Sequence, residues 1–264
     1  MDPTLMQWLD VFLRWVHVVA GVLWVGQLYF FNFVNAHAAK TFDDETRKKV
    51  MPQLMTRALY VFRTGAFFTW LTGVLLVGLV FHLGGLLVPF DATPAQKGLA
   101  AGVGFGLIFF GFFVYDLFAR TPLVRRGPAF MVASLALIGA MAFGLARVMS
   151  GRAMFLHVGA VLGSVMMMNV WMRIWPAQRA VLRGLVGKAP APDAAVPALA
   201  ALRSKHNAYL SVPVLLFMVS GHTFPLAYGD DLNWAFAVGV VALGYALAWH
   251  LFVIFGREKR AEVP

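Results

Sequence analysis

Seven long apolar stretches, separated by shorter connections that gather the charge, proline and glycine, organise this chain. A helix needs roughly 20 mainly apolar residues to cross the hydrocarbon core of a bilayer. Spans of that length are predicted at 12–35, 61–83, 98–118, 128–148, 153–175, 206–227 and 232–255. The apolar cores at 15–36, 64–90, 99–115, 129–146, 153–172, 207–229 and 232–256 contain no Asp, Glu, Lys or Arg. The expected fold class is therefore all-α, a polytopic membrane bundle of about seven helices that forms one domain over 1–264. The longest connection, 176–205, joins a short amphipathic piece (Ala180 to Val186) to an Ala/Pro linker (Ala189 to Pro197) and is expected to lie on the membrane surface. Residues 38–57 read as a charge-mixed helical loop, and 84–97 as a Gly/Pro loop whose Leu86 to Phe90 dips toward the interface.

Composition agrees with that pattern and narrows it. The 264 residues are 60% hydrophobic and only 13% charged, too apolar for a soluble domain of this size, and no polar segment is long enough for a second one. The net charge of +10 falls mainly in alternate connections. Lys40 to Arg57, Arg120 to Arg126, Arg179 to Lys205 and Arg257 to Arg260 are basic, and the connections between them are poor in Lys and Arg. By the positive-inside rule the N-terminus is expected outside and the C-terminus in the cytoplasm. The basic charge then serves topology and contact with anionic lipid, and nucleic acid is not an expected partner. The first span, preceded by Asp2 and Asp10 with no basic leader, does not read as a signal peptide.

The chemistry lies in what remains ionisable inside the apolar stretches. His17, His82, His157, His222 and His250 all fall there. An ionisable side chain within a membrane span is a functional-site hypothesis by default, and neutral imidazole is a common ligand of haem iron. The chain has no cysteine, which rules out disulfides, thiolate-ligated haem and covalent haem attachment. The cofactor expected is haem b, one or two per chain.

The depth implied by the topology puts His17, His82, His157 and His222 in the outer half and His37, His206 and His250 in the inner half. His17 has Gly21 and Trp24 on its helical face and Arg14 one turn above, an arrangement suited to a flat macrocycle with its propionates outward. His157 has Arg152 above it at the same boundary, and His82 has Gly78 and Gly85 nearby. The iron ligands favoured from this placement are His17 and His157, with His222 third and His82 as a further candidate. His82 and His250 are equally readable as helix–helix hydrogen-bond partners. His206 and His250 would hold a second, inner haem. Alternatively Arg203, His206 and Asn207, with Lys205, would draw a small cytoplasmic anion, or simply anchor the inner face. The run Met166 to Met168 reads as packing. A retinal protein is disfavoured because the last span has no lysine, and an ion-coupled carrier because the spans lack carboxylates.

Three segments carry a resemblance to a known family: H-V-V-A-G-V-L-W-V-G at 17–26, continuing to Y-F-F-N-F-V-N at 29–35; F-L-H-V-G-A at 155–160; and R-S-K-H-N-A-Y-L-S-V-P-V-L-L-F-M-V-S-G-H-T-F-P at 203–225. Through these the chain resembles the membrane domain of bacterial cytochrome-c-linked urate hydroxylases over nearly its whole length. The H-x3-G-x2-W-x-G opening is also similar to small haem-binding membrane proteins. The resemblance implies a bacterial cytoplasmic-membrane oxidoreductase of purine catabolism that hydroxylates urate and passes electrons to cytochrome c. In that family the membrane region is usually followed by a further span and a cytochrome c domain, and neither follows Arg257-Glu-Lys-Arg here. A separate cytochrome c or a quinone is therefore the expected electron acceptor. The other expectation is a non-catalytic cytochrome b subunit that carries electrons from a partner dehydrogenase.

Overall fold

The computed structural model describes residues 2–220 and 231–256. His222, one of the expected ligands, lies outside them. Among the described residues there are only helices, turns and loops. Seven long helices follow in order: α1 (Pro3–Thr41), α2 (Asp44–Leu83), α3 (Pro94–Phe118), α4 (Gly127–Ala146), α5 (Gly151–Leu185), α6 (Ala195–Val219) and α7 (Asn233–Gly256). Six of them are long and apolar enough to cross a membrane. The exception, α6, carries Arg203 and Lys205 in its first half, and the apolar run that follows them passes out of the described residues after Ser220. The chain is a polytopic helical membrane bundle.

Local chemistry sets where the helices begin. Asp43, Thr93 and Ser150 each accept a hydrogen bond from a first-turn backbone amide, of Thr46, Gln96 and Ala153 respectively. Thr93 and Gln96 form a reciprocal capping box, and prolines open α1 and α3. The helices outrun the predicted spans: α1 starts nine residues before 12, and α6 eleven before 206. Much of the 176–205 connection is therefore helical, as a continuation of α5 and the start of α6.

Three helices contain a wider π-type turn: Phe30–Asn35 in α1, Gly78–Leu83 in α2 and Val170–Ile174 in α5. Such turns re-aim side chains and gather at functional sites. Two of these segments carry residues of the site described below, His82 and Arg173.

In lipid, helices associate through close packing and interhelical polar contacts, because the solvent is as apolar as the side chains. α1 lies along α2, where Gly65 brings the backbones together: a Cβ there would sit 3.2 Å from the Ala20 carbonyl oxygen. α5 is the central helix, packed against α2, α3, α4, α6 and α7. Of its most apolar stretch 78% is buried, against 11–33% for the other five candidate spans. At one end of the bundle the 84–93 loop folds inward, with Leu87 and Val88 buried. Ser150 ties it down by donating from its amide to the Leu87 carbonyl (2.9 Å) and from its hydroxyl to the Leu86 carbonyl (2.7 Å). This is the loop end. The opposite end, where Arg120, Arg173, Arg203 and Lys205 gather, is the basic end.

Candidate functional site

The central helix brings one histidine into the middle of the bundle. His157 of α5 is 0% exposed. Its Nδ1 lies 2.7 Å from the Ala153 carbonyl oxygen, one turn back. A carbonyl can only accept, so Nδ1 carries the proton and Nε2 keeps its lone pair. That Nε2 is buried with no hydrogen-bond partner. Gly104 of α3 makes the space it occupies: a Cβ there would come within 2.9 Å of the ring Cδ2 and 3.0 Å of Nε2.

The π-type turn at the end of α2 delivers His82 to the same place. Its ring lies 6.2 Å from that of His157, centroid to centroid, and stacks on Phe105 at 4.4 Å. Its Nε2 is also buried without a partner. Phe81 closes another side, edge-on to His157 at 5.6 Å. A buried polar atom left unpaired costs about 1–3 kcal/mol. Two such imidazole nitrogens therefore lie on neighbouring rings among apolar and aromatic side chains.

His17 stands elsewhere. Its Nδ1 is 3.1 Å from Thr72 Oγ1, whose own proton goes to the Phe68 carbonyl (2.6 Å), so the imidazole is the donor. Its Cε1 sits against Gly73 of α2. Thr72 precedes His82 by ten residues, roughly 15 Å along a helix, so His17 lies a layer deeper than the His82–His157 pair. The face of α1 bearing His17, Gly21 and Trp24 is laid against α2: Gly21 faces Thr69, and Trp24 abuts Gly65. Arg14 is paired with Asp10 at 2.7 Å. Arg152, five residues before His157 at the loop end, has no carboxylate partner among the described residues, and its Nε is buried and unbonded.

A second polar assembly occupies the basic end. Asp116 of α3, 5% exposed, accepts hydrogen bonds from Arg120 (2.6 Å), Arg173 (2.9 Å) and Arg203 (2.9 Å). Arg203 is 1% exposed, and its guanidinium carbon lies 5.1 Å from the centre of the Tyr115 ring. Its Nε and Nη1 have no partner. Alongside, Asn169 donates to Tyr115 Oη (3.1 Å) and to Asn207 Oδ1 (2.9 Å), while Asn207 donates to the Met166 carbonyl (2.8 Å). Tyr115 Oη is 2.8 Å from His206 Nδ1. His206 stacks on Phe130 at 5.0 Å, whereas His250 is exposed on the outside of α7, so no ring contact or hydrogen bond joins the two. Sequence reading passed over Asp116, Asn169 and Arg173. Asp116 and Arg173 lie just beyond the charge-free cores of their spans, the one signal that pointed to them.

Among the described residues no group of three or more His, Asp or Glu gathers as a metal site. Sites built wholly from protein ligands need three or four donors. His82 and His157 are the two histidines among the described residues that lie side by side with an unpartnered Nε2 each.

The family model described as "Urate oxidase N-terminal" matches residues 3–50 and 39–263. The chain belongs to that family. It is a membrane protein related to the urate hydroxylases. No curated protein and no solved structure matched it. Both assemblies lie within the matched residues.

Proposed function

We propose that this protein is a haem-b-binding oxidoreductase of the bacterial cytoplasmic membrane, related to urate hydroxylase, that passes electrons to cytochrome c or a quinone. The observation that carries this reading is the pair of buried, unpartnered Nε2 atoms of His82 and His157 in a urate oxidase N-terminal chain. His82 and His157 would hold the haem, which would supply one-electron transfer when bound.

The protein's own part is orientation and exclusion of water. The Nδ1–H bond to Ala153 fixes the His157 tautomer and raises the basicity of Nε2. Phe81, Phe105 and the inward loop with Leu87 and Val88 keep water from the chamber. Arg152, with no acidic partner among the described residues, would receive a propionate in this reading. The loop end faces outward and the basic end the cytoplasm, in line with the charge alternation.

Substrate chemistry belongs to the basic end in this reading. The unpartnered N–H groups of Arg203 and the unpartnered Asn169 Oδ1 offer a small anion such as urate both donors and an acceptor. The other reading, an electron-transfer subunit without substrate, is favoured by one observation: Asp116, Tyr115 and Asn207 are already engaged with one another's neighbours. Purified protein given urate and an artificial electron acceptor decides between them. Urate loss coupled to acceptor reduction, abolished in Arg203→Lys, supports the enzyme. A haem-containing protein that leaves urate untouched is the electron-transfer subunit.

A further inference from the structure

Between α3, α4, α5, α6 and α7 lies a cavity of about 310 Å³, within the range of small-molecule sites. Its walls are mostly aliphatic and aromatic, with six polar residues: Tyr115, Ser134, Lys205, His206, Tyr209 and Tyr245. It starts near the His82–His157 chamber, since Val161 in its wall is one turn of α5 from His157. It runs past His206 to Leu202 and Val124, at the basic end.

We propose that this cavity binds the head group of a membrane quinone. Binding itself stands on the cavity; only the quinone's role as electron acceptor rests on the haem reading.

Three observations select that chemistry. First, the cavity is open to the lipid side. α3 and α4 scarcely touch, and Val114 and Leu137 in the wall are 55% and 42% exposed on the bundle's outer surface. A lipid-soluble ligand can enter there with its tail left in the bilayer. Second, hydrogen-bond donors are free or only weakly engaged. Tyr115 accepts from Asn169 and lies 2.8 Å from His206 Nδ1; in the tautomer where the tyrosine hydroxyl donates to Nδ1, the proton of His206 is on Nε2. That Nε2 makes no hydrogen bond to a described residue. The Tyr245 hydroxyl is held only by a long 3.3 Å contact with Ser134, whose own proton goes to the Met131 carbonyl. Two carbonyl oxygens of a quinone match such donors, whereas an acyl chain would leave them unused. Third, the His206 end of the cavity is lined by a stacked aromatic series, Phe118 on Phe130 (4.6 Å) and Phe130 on His206 (5.0 Å), an aromatic wall against which a flat ring would pack. A polar purine would lose its hydration against the aliphatic walls with too few partners to replace it.

The test is binding of tritiated decylubiquinone to the full chain in lipid nanodiscs, counted against protein-free nanodiscs. Expected is saturable binding of one molecule per chain. Leu137→Trp, which blocks the lateral mouth, should weaken it at least tenfold, and Tyr245→Phe about three- to tenfold, each with an unchanged thermal midpoint. Excess palmitate should not displace the label. The proposal is overturned by uptake equal to that of protein-free nanodiscs, by wild-type affinity in both variants, or by displacement with palmitate. Haem content is read on the same samples by absorption. Saturable binding without haem would uphold the site and remove the redox reading; haem without binding would do the reverse.

Discussion

The rings of His82 and His157 stand 6.2 Å apart, and the Nε2 of each is buried without a partner. If they are the axial pair, His82→Ala and His157→Ala should each lose the low-spin haem signal in absorption and electron paramagnetic resonance. His17→Ala should keep it, because His17 is bonded to Thr72 in a deeper layer. Loss in His17→Ala with retention in His82→Ala would make His17 the ligand instead.

Gly104 and Gly244 separate a local effect on the site from a global one. A Cβ at Gly104 meets His157 Nε2 at 3.0 Å, and one at Gly244 meets the Pro213 nitrogen at 2.8 Å. Overpacking of this kind costs about 1–3 kcal/mol. Both alanine variants should therefore melt earlier in detergent, but only Gly104→Ala should change the haem spectrum or occupancy. A spectral change of equal size in Gly244→Ala would show that the spectrum follows general stability.

Much of the architecture was legible in the sequence, because seven apolar runs of spanning length in lipid have one regular solution. The layer of the histidines was less so. α1 begins at Pro3, nine residues before the predicted span, and this slides His17 inward to face Thr72 and Gly73. His82 reaches His157 through a π-type turn that no residue pattern announced. Arg203 was assigned to a connection, yet it is inside α6 and buried. The convergence of Arg120, Arg173 and Arg203 on Asp116 is hidden for another reason. Each charge sits near the end of an apolar run and reads singly as a topology signal, until the ends of α3, α5 and α6 are brought side by side.

That convergence has an energetic consequence. Removing one partner of a buried ion pair strands the other and costs about 3–5 kcal/mol. Asp116→Asn should lower the free energy of unfolding by an amount in that range, and Arg120→Gln much less, because Arg120 is largely exposed. Equal effects of the two would show that Asp116 does not hold Arg203 in place.

The start of α2 carries a pH dependence. The Thr46 amide and hydroxyl beside Asp43 hold its carboxyl below the usual carboxylate range. The folded pKa is depressed, so the stabilisation is present above the ordinary carboxylate pKa and is lost as pH falls through the folded value. Amide exchange at Thr46 should quicken as pH falls from the ordinary carboxylate pKa through that value, after correction for intrinsic rates. Asp43→Asn, which keeps a cap but cannot titrate, should remove that dependence.

The most direct measurement is a dithionite-minus-air difference spectrum of the purified protein with a pyridine haemochrome count. Expected is a low-spin b-type spectrum with one haem per chain, lost in His157→Ala. A colourless protein that is folded and monodisperse, and that takes up no haem on reconstitution, would contradict the assignment of His82 and His157 as iron ligands.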